Sequence, residues 1–266
     1  MPQNPDPLPE PPERPGRSGR PDPAAPAASP ARRRGRIASA VGVGGEVLIT
    51  LGLLLGLFVV YSLWWTDVLA ERQAGDDAQR LRQSWLAVGR PHHGDAASAP
   101  ARIYRPGEGI GFLHIPRLGP GYQLPVMLGT SLDVLDQGVA GVYRQPYRAA
   151  MPWDRSGNFA MAAHRDGHGA AFHDLPELRP GDLIGFETRD TWYEYTVSRV
   201  LPRTDKYDVG VVAPVPPESG FTGPGRYITL TTCTPAYTSR YRMAVWGRLT
   251  RTLPVDARRD VPAELR

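Results

Sequence analysis

Two hydrophobic patterns divide this chain. Residues 47–65 read VLITLGLLLGLFVVYSLWW, an apolar run without a charge. From residue 109 onward the apolar positions come instead in short runs, several of them alternating, separated by Pro and Gly clusters. These runs predict strands over 110–115, 124–128, 158–163, 183–187, 192–201, 227–233 and 241–250. Arg189-Asp190 makes a tight connection between two of them. Helical character in this region is confined to 131–137 and 170–178. Many short strands with little helix predict a mainly β fold, a closed mixed barrel rather than a doubly wound sheet.

At ~1.5 Å per residue the apolar run reaches roughly 28 Å, close to the thickness of a bilayer core. Glu46 marks its N-terminal edge, and the small, weakly apolar residues 37–45 extend it backward. Trp64 and Trp65 sit where interfacial aromatics belong, and Arg32, Arg33, Arg34 and Arg36 lie on the other side. The positive-inside rule then keeps the N-terminus in the cytoplasm and puts the rest of the protein outside the cell membrane. A cleaved signal peptide fits poorly, because the run is long and no small-residue cleavage site follows it.

The predicted organisation is a Pro/Arg-rich tail over 1–36, a transmembrane anchor over 37–65 and a stalk and linker over 66–108. A barrel domain over 109–250 and a C-terminal tail over 251–266 follow. The first tail has one large aliphatic residue, Leu8, and too little apolar surface to offset chain entropy, so it reads as disordered. Residues 66–86 read as a short exposed helix leading away from the membrane. His92-His93 fall in the Pro/Gly/Ala/Ser-rich linker, where a histidine pair is ordinarily solvated. The formal net charge is +4, of which +3 lies in residues 1–36, so the folded part is nearly neutral. That argues against a nucleic-acid-binding domain, which would carry a basic stripe. With a single cysteine there is no intrachain disulfide, and the domain depends on its core.

That cysteine, Cys233, sits at a strand end among threonines rather than in an apolar run. If 227–233 and 241–250 pair as an antiparallel hairpin with Cys233 opposite Arg242, Thr231 faces Ala244 and Thr229 faces Trp246. Ile228, Leu230 and Thr232 then share the other face with Gly247, Val245 and Met243. A thiol and a guanidinium come together at the open end of a sheet. A lone cysteine is usually a small buried hydrophobe, whereas a functional thiol needs a base or acid partner. The best candidate is His164, at the end of the run Asn158-Phe159-Ala160-Met161-Ala162-Ala163-His164.

Thr229-Leu230-Thr231-Thr232-Cys233-Thr234-Pro235, with Arg242-Met243-Ala244-Val245-Trp246-Gly247-Arg248-Leu249 downstream, resembles the TLxTC signature of sortases. The His164 segment resembles their histidine motif, and Gly129-Thr130-Ser131-Leu132 and Arg179-Pro180-Gly181-Asp182 are also similar to the family. The resemblance runs from about residue 109 to 249 and is greatest to the class E sortases of actinobacteria. Ala162-Ala163 departs from the Ala-Gly that relatives often carry before the histidine. The resemblance implies an eight-stranded barrel with a few short helices, and a cysteine transpeptidase that uses no cofactor or metal. It assigns Cys233 as nucleophile, His164 as general acid and base, and Arg242 as stabiliser of the oxyanion or the substrate. It further implies cleavage of a Thr–Gly bond in an LAxTG- or LPxTG-like sorting signal. The partners would be secreted proteins bearing that signal and a peptidoglycan precursor amine.

Arg240 shares strand parity with Arg242, so periodicity leaves both open, and the family spacing favours Arg242. Thr231, Thr232, Tyr237 and Arg240 are the candidate substrate contacts. His164, His168 and His173 could be drawn with Cys233 as a zinc site, but their spacing fits no familiar zinc motif. His114 reads as a structural or surface residue. The long loop 202–225 is expected to wall a substrate groove or simply to pack, its valines suiting either. A pilin-polymerising sortase and a non-catalytic binding protein on the same barrel are the competing functions.

Overall fold

The computed structural model describes residues 31–87 and 103–266. Most of the predicted tail, and most of the linker with His92 and His93, lie outside the described residues. The chain divides into two units, Met1–Leu55 and Gly56–Arg266. The described part of the first is the beginning of a long helix, α1 (Ala31–Ala87). Its apolar residues, among them Leu48, Ile49, Leu51 and Leu53, are exposed. A window of α1 with mean hydropathy 2.3 is long and apolar enough to cross a membrane.

The second unit holds eight strands: β1 (Gly109–His114), β2 (Gln123–Leu128), β3 (Ala140–Val142), β4 (Gly157–Ala162), β5 (Leu183–Glu187), β6 (Thr191–Asp205), β7 (Arg226–Thr234) and β8 (Tyr241–Pro254). They close into a barrel in the order β1-β2-β3-β4-β7-β8-β6-β5. The pairs β2–β3 and β4–β7 are parallel and the others antiparallel, the mixed closed barrel the strand pattern predicts. Trp192, Tyr195, Phe159, Phe186 and Trp246 are fully buried. The hairpin β7–β8 has the expected register, with Cys233 opposite Arg242, Thr231 opposite Ala244 and Thr229 opposite Trp246.

Three local expectations need correction. The short β3 had no alternation long enough to mark it as a strand. A helix over 170–178 does not form. Positive φ at Gly167, His168, Gly169 and Ala170 breaks that segment into turns, leaving only a 3-10 turn at Leu175–Glu177. Residues 66–86 are helical but not simply exposed. They continue α1, and Ala70, Leu81 and Trp85 are buried against the barrel with Ala74 and Ala78 partly buried beside them. That spacing of three and four residues is a helix face.

Glu187 fastens this face. Its buried carboxylate accepts from both Arg82 guanidinium nitrogens at 3.1 Å, from Arg259 at 2.8 Å and from buried His114 at 3.2 Å. Arg82 also stacks on Phe112, and Arg259 on Trp85. Burial alone would raise the Glu187 carboxyl; the bonds from His114, Arg82 and Arg259 outweigh it and hold the group at about 2. A depressed carboxyl contributes stability that is complete above its unfolded value and is lost as pH falls towards the folded one. Glu187→Gln is therefore expected to cost about 3 kcal/mol at neutral pH. Denaturant titration should show the cost shrinking between pH 4.5 and 2.

Candidate active site

The sheet brings three side chains into one row. In the parallel pair β4–β7, Ala160 faces Thr229 and Ala162 faces Thr231. The Ala163 N–H still bonds Thr231 O at 3.3 Å, so the pairing runs on past β4 in the direction of His164 and Cys233. In the antiparallel pair β7–β8, Cys233 faces Arg242. Paired residues point to one side of a sheet, so thiol and guanidinium share a face, and the histidine follows two residues after the end of the neighbouring β4. All three are half-buried and open to solvent.

The imidazole is held from behind. His164 Nε2 lies 2.8 Å from Asp136 Oδ1, at the end of the one-turn helix α2 (Leu132–Leu135). An ionised carboxylate can only accept, so Nε2 carries the proton and Nδ1 is left for chemistry. The His168 ring lies 5.3 Å from that of His164, with its Nδ1 3.9 Å from the same carboxylate oxygen.

Arg242 is tethered by its Nη1, which donates to Ser239 O at 3.1 Å and to Tyr241 O at 3.0 Å. Its Nε and Nη2 make no hydrogen bond among the described residues. A second guanidinium, Arg165, donates to Thr234 Oγ1 at 2.9 Å and to Cys233 O at 3.4 Å, joining the histidine segment to the cysteine strand. Tyr143 completes the surroundings. Its hydroxyl and Thr231 Oγ1 are 2.9 Å apart. Burial raises its phenol, and the Thr231 bond and the Arg242 charge pull against that.

The remaining sequence candidates divide. Thr231 is buried and bonds Tyr143 and Met161 O. Thr232 is buried on the opposite face from Cys233, its hydroxyl donating to Ala163 O at 2.8 Å. Tyr237 is exposed in the β7–β8 loop, with its backbone N–H on Asp166 Oδ2. Arg240 precedes β8, exposed, with its guanidinium over the Tyr241 ring. His173 turns to Arg165 O instead of the cysteine, and His114 belongs to the Glu187 cluster. Among the described residues no group of three His, Cys, Asp or Glu could hold a metal ion.

The β6–β7 loop lies over the same sheet face as the row. Trp246 Nε1 donates to Val211 O, and Asn158 Nδ2 to Ala213 O, each at 2.9 Å. Val211 and Val212 are buried and Val215 packs on the core, while Val209 is exposed, so most of the valines serve packing. Asp136, Tyr143 and Arg165 were not found from sequence. Asp136 ends a helix too short to announce itself, and Tyr143 follows the unrecognised β3. Arg165 directly follows the histidine, which was the one usable signal.

Residues 113–250 match the Sortase domain family. The chain is 53% identical over 239 residues to Sortase SrtE2 of Streptomyces coelicolor, covering 88% of this chain and 92% of that protein. Among solved structures, Sortase E1 from Streptomyces coelicolor with a tripeptide in the active site is 44% identical, with TM-score 0.56. That match covers 61% of this chain and 99% of that one. Sortase E from Streptomyces avermitilis is 39% identical with TM-score 0.55, covering 61% and 100% respectively. A closed eight-stranded barrel with its only cysteine at the end of β7, together with these relatives, identifies the chain as a member of the sortase family of cysteine transpeptidases, most similar to class E.

Proposed function

We propose that this protein is a membrane-anchored sortase that cleaves the Thr–Gly bond of an LAxTG- or LPxTG-like sorting signal and transfers the released protein to a peptidoglycan amine. The observation that supports the reading is Cys233 of β7 opposite Arg242 of β8, with His164 two residues past the end of the β4 strand that pairs with β7. A relative, Sortase E1 from Streptomyces coelicolor, holds a tripeptide in its active site, in keeping with a peptide substrate. Cys233 Sγ gives its proton to His164 Nδ1, making an imidazolium, and attacks the threonine carbonyl as thiolate. Arg242 donates from Nε or Nη2 to the oxygen as it becomes negative. The C–N bond breaks while His164 Nδ1–H passes its proton to the leaving glycine nitrogen. The acceptor amine then attacks the thioester, and the same Nδ1 takes its proton as the thiolate leaves. The apolar window of α1 is the anchor, and the arginines before it keep the N-terminus cytoplasmic and the barrel outside.

Incubating the protein with a labelled LAxTG peptide should release the fragment after threonine and give a Cys233 thioester detectable by mass. A protein that neither cleaves the peptide nor acquires the acyl mass would refute the signal assignment. Linkage to a lysine of a second surface protein, instead of a wall amine, would mark a pilin polymerase.

Asp136 acts through His164 as a positioning residue. Asp136→Ala is expected to lower kcat about tenfold to a hundredfold with KM nearly constant, a fraction of what general acid–base catalysis supplies. Asp136→Asn should lose less, because its amide oxygen still accepts from Nε2. Equal losses in both variants would show that orientation is not what the carboxylate provides.

A further inference from the structure

A cavity of about 900 Å³ adjoins the candidate site and shares Tyr143 with it. The β3–β4 loop, residues 143–156, supplies about half of its lining, with residues 103–106, 128–131, the start of β4, and Val212 and Pro214 of the β6–β7 loop making up the rest. None of the three residues in the catalytic row lines it. Two guanidiniums do, Arg144 and Arg148, both exposed and without an ion pair among the described residues. Asp154, the one carboxylate among the lining residues, is held in its own turn, Oδ2 accepting from the Met151 N–H at 2.7 Å. The half-exposed Trp153 ring lies 6.0 Å from that of Tyr104 on the same wall.

Distances along the sheet say what reaches this space. On the catalytic face the positions run back from the row through Ala162 and Thr231, Ala160 and Thr229, to Asn158. At about 3.3 Å per residue Thr231, whose hydroxyl meets that of Tyr143, is about 7 Å from Cys233, and Tyr227, which Asn158 faces, is about 20 Å from it. The four residues of a sorting signal that precede its scissile bond span about 13 Å when extended. A chain laid from the thiol along this face leaves the signal behind before it reaches Asn158, which lines the same cavity as the arginines.

We propose that this cavity is a second recognition site, which binds an acidic stretch of the substrate protein just N-terminal to the sorting signal. The inference rests on the sortase reading above. Arg144 and Arg148 pair with Asp or Glu side chains of that stretch, and the Trp153 wall supports its backbone. The signal provides the bond to be cut, and the upstream charge helps choose which proteins are presented.

The test uses the full chain in detergent micelles, carrying Cys233→Ala so that binding is read without turnover. Fluorescent LAxTG peptides carry four extra residues, acidic, neutral or basic, on the N-terminal or the C-terminal side. The acidic N-terminal extension should bind about tenfold tighter than the neutral one, as two exposed ion pairs allow, and salt should erode the preference. Arg144→Glu with Arg148→Glu should bring that ratio to one or reverse it in favour of the basic extension. Equal binding of acidic and neutral extensions overturns the proposal. So does an acidic preference confined to the C-terminal side, or one that survives the double charge reversal. Cleavage of the unextended peptide by the Cys233 protein is scored separately. Its failure counts against the signal assignment, whereas the charge preference is decided by binding alone.

Discussion

Cys233→Ala is expected to reduce peptide cleavage and transfer to the uncatalysed background, a loss on the order of 10⁴-fold or more, as when a covalent nucleophile is deleted elsewhere. The reason is chemical. Without the sulfur there is no acyl acceptor, and none of the neighbouring groups substitutes. Thr231 and Thr232 hydroxyls are buried and engaged with Tyr143, Met161 and Ala163. The fold should hardly notice, because Cys233 is half-buried at a strand end with a free thiol. Stability within about 0.5 kcal/mol of the parent is the expected control. His164→Ala should cost on the order of 10²–10⁴-fold, because the thiol remains but the glycine amine must leave unprotonated. The two variants separate by mass spectrometry. The histidine variant can still carry a slowly formed thioester, and the cysteine variant carries none. Cleavage that survives in Cys233→Ala would remove this sulfur from the reaction.

How much of this is legible in the sequence varies with the physics of each feature. The β7–β8 hairpin could be laid out residue by residue because its apolar set fits only one parity, and a slip of one residue would turn Ile228, Leu230 and Val245 off the core. The apolar run of α1 needed only length and absence of charge. The alanine face of α1 escaped because Ala70, Ala74 and Ala78 carry little hydrophobic signal, and their burial depends on a barrel surface that local sequence does not describe. Gly138 shows the intimacy of that docking: a β-carbon there would sit 3.0 Å from Ala70 O. Asp136 is 28 residues from His164, and Tyr143 is 88 from Thr231. Such contacts are set by barrel closure and have no local period to read. The Glu187 cluster is of the same kind, joining α1, β1, β5 and the segment after β8 through one carboxylate.

Arg242→Ala is expected to lower kcat by about 10²–10³-fold, the usual effect of deleting one donor to a developing oxyanion. Three features set this expectation. Arg242 is opposite Cys233 in the hairpin, its Nη1 is anchored on the Ser239 and Tyr241 carbonyls, and its Nε and Nη2 face no partner among the described residues. The anchoring fixes the fork before substrate arrives, so little reorganisation is needed as charge builds. Arg242→Lys should recover only part of the loss, since an ammonium on a flexible stem reproduces the charge but not the tethered planar fork. Arg240→Ala, by contrast, removes an exposed loop side chain stacked on Tyr241 and should change kcat less than about threefold, a shift that fits loss of a peripheral contact. Arg165 is the neighbour to watch, because its bonds to Thr234 and Cys233 O hold the cysteine strand to the histidine segment. If Arg242→Ala raised KM and left kcat intact, the guanidinium would be gripping the substrate equally in ground and transition states. If Arg165→Ala gave the larger fall in kcat, the oxyanion role would pass to the residue next to the histidine.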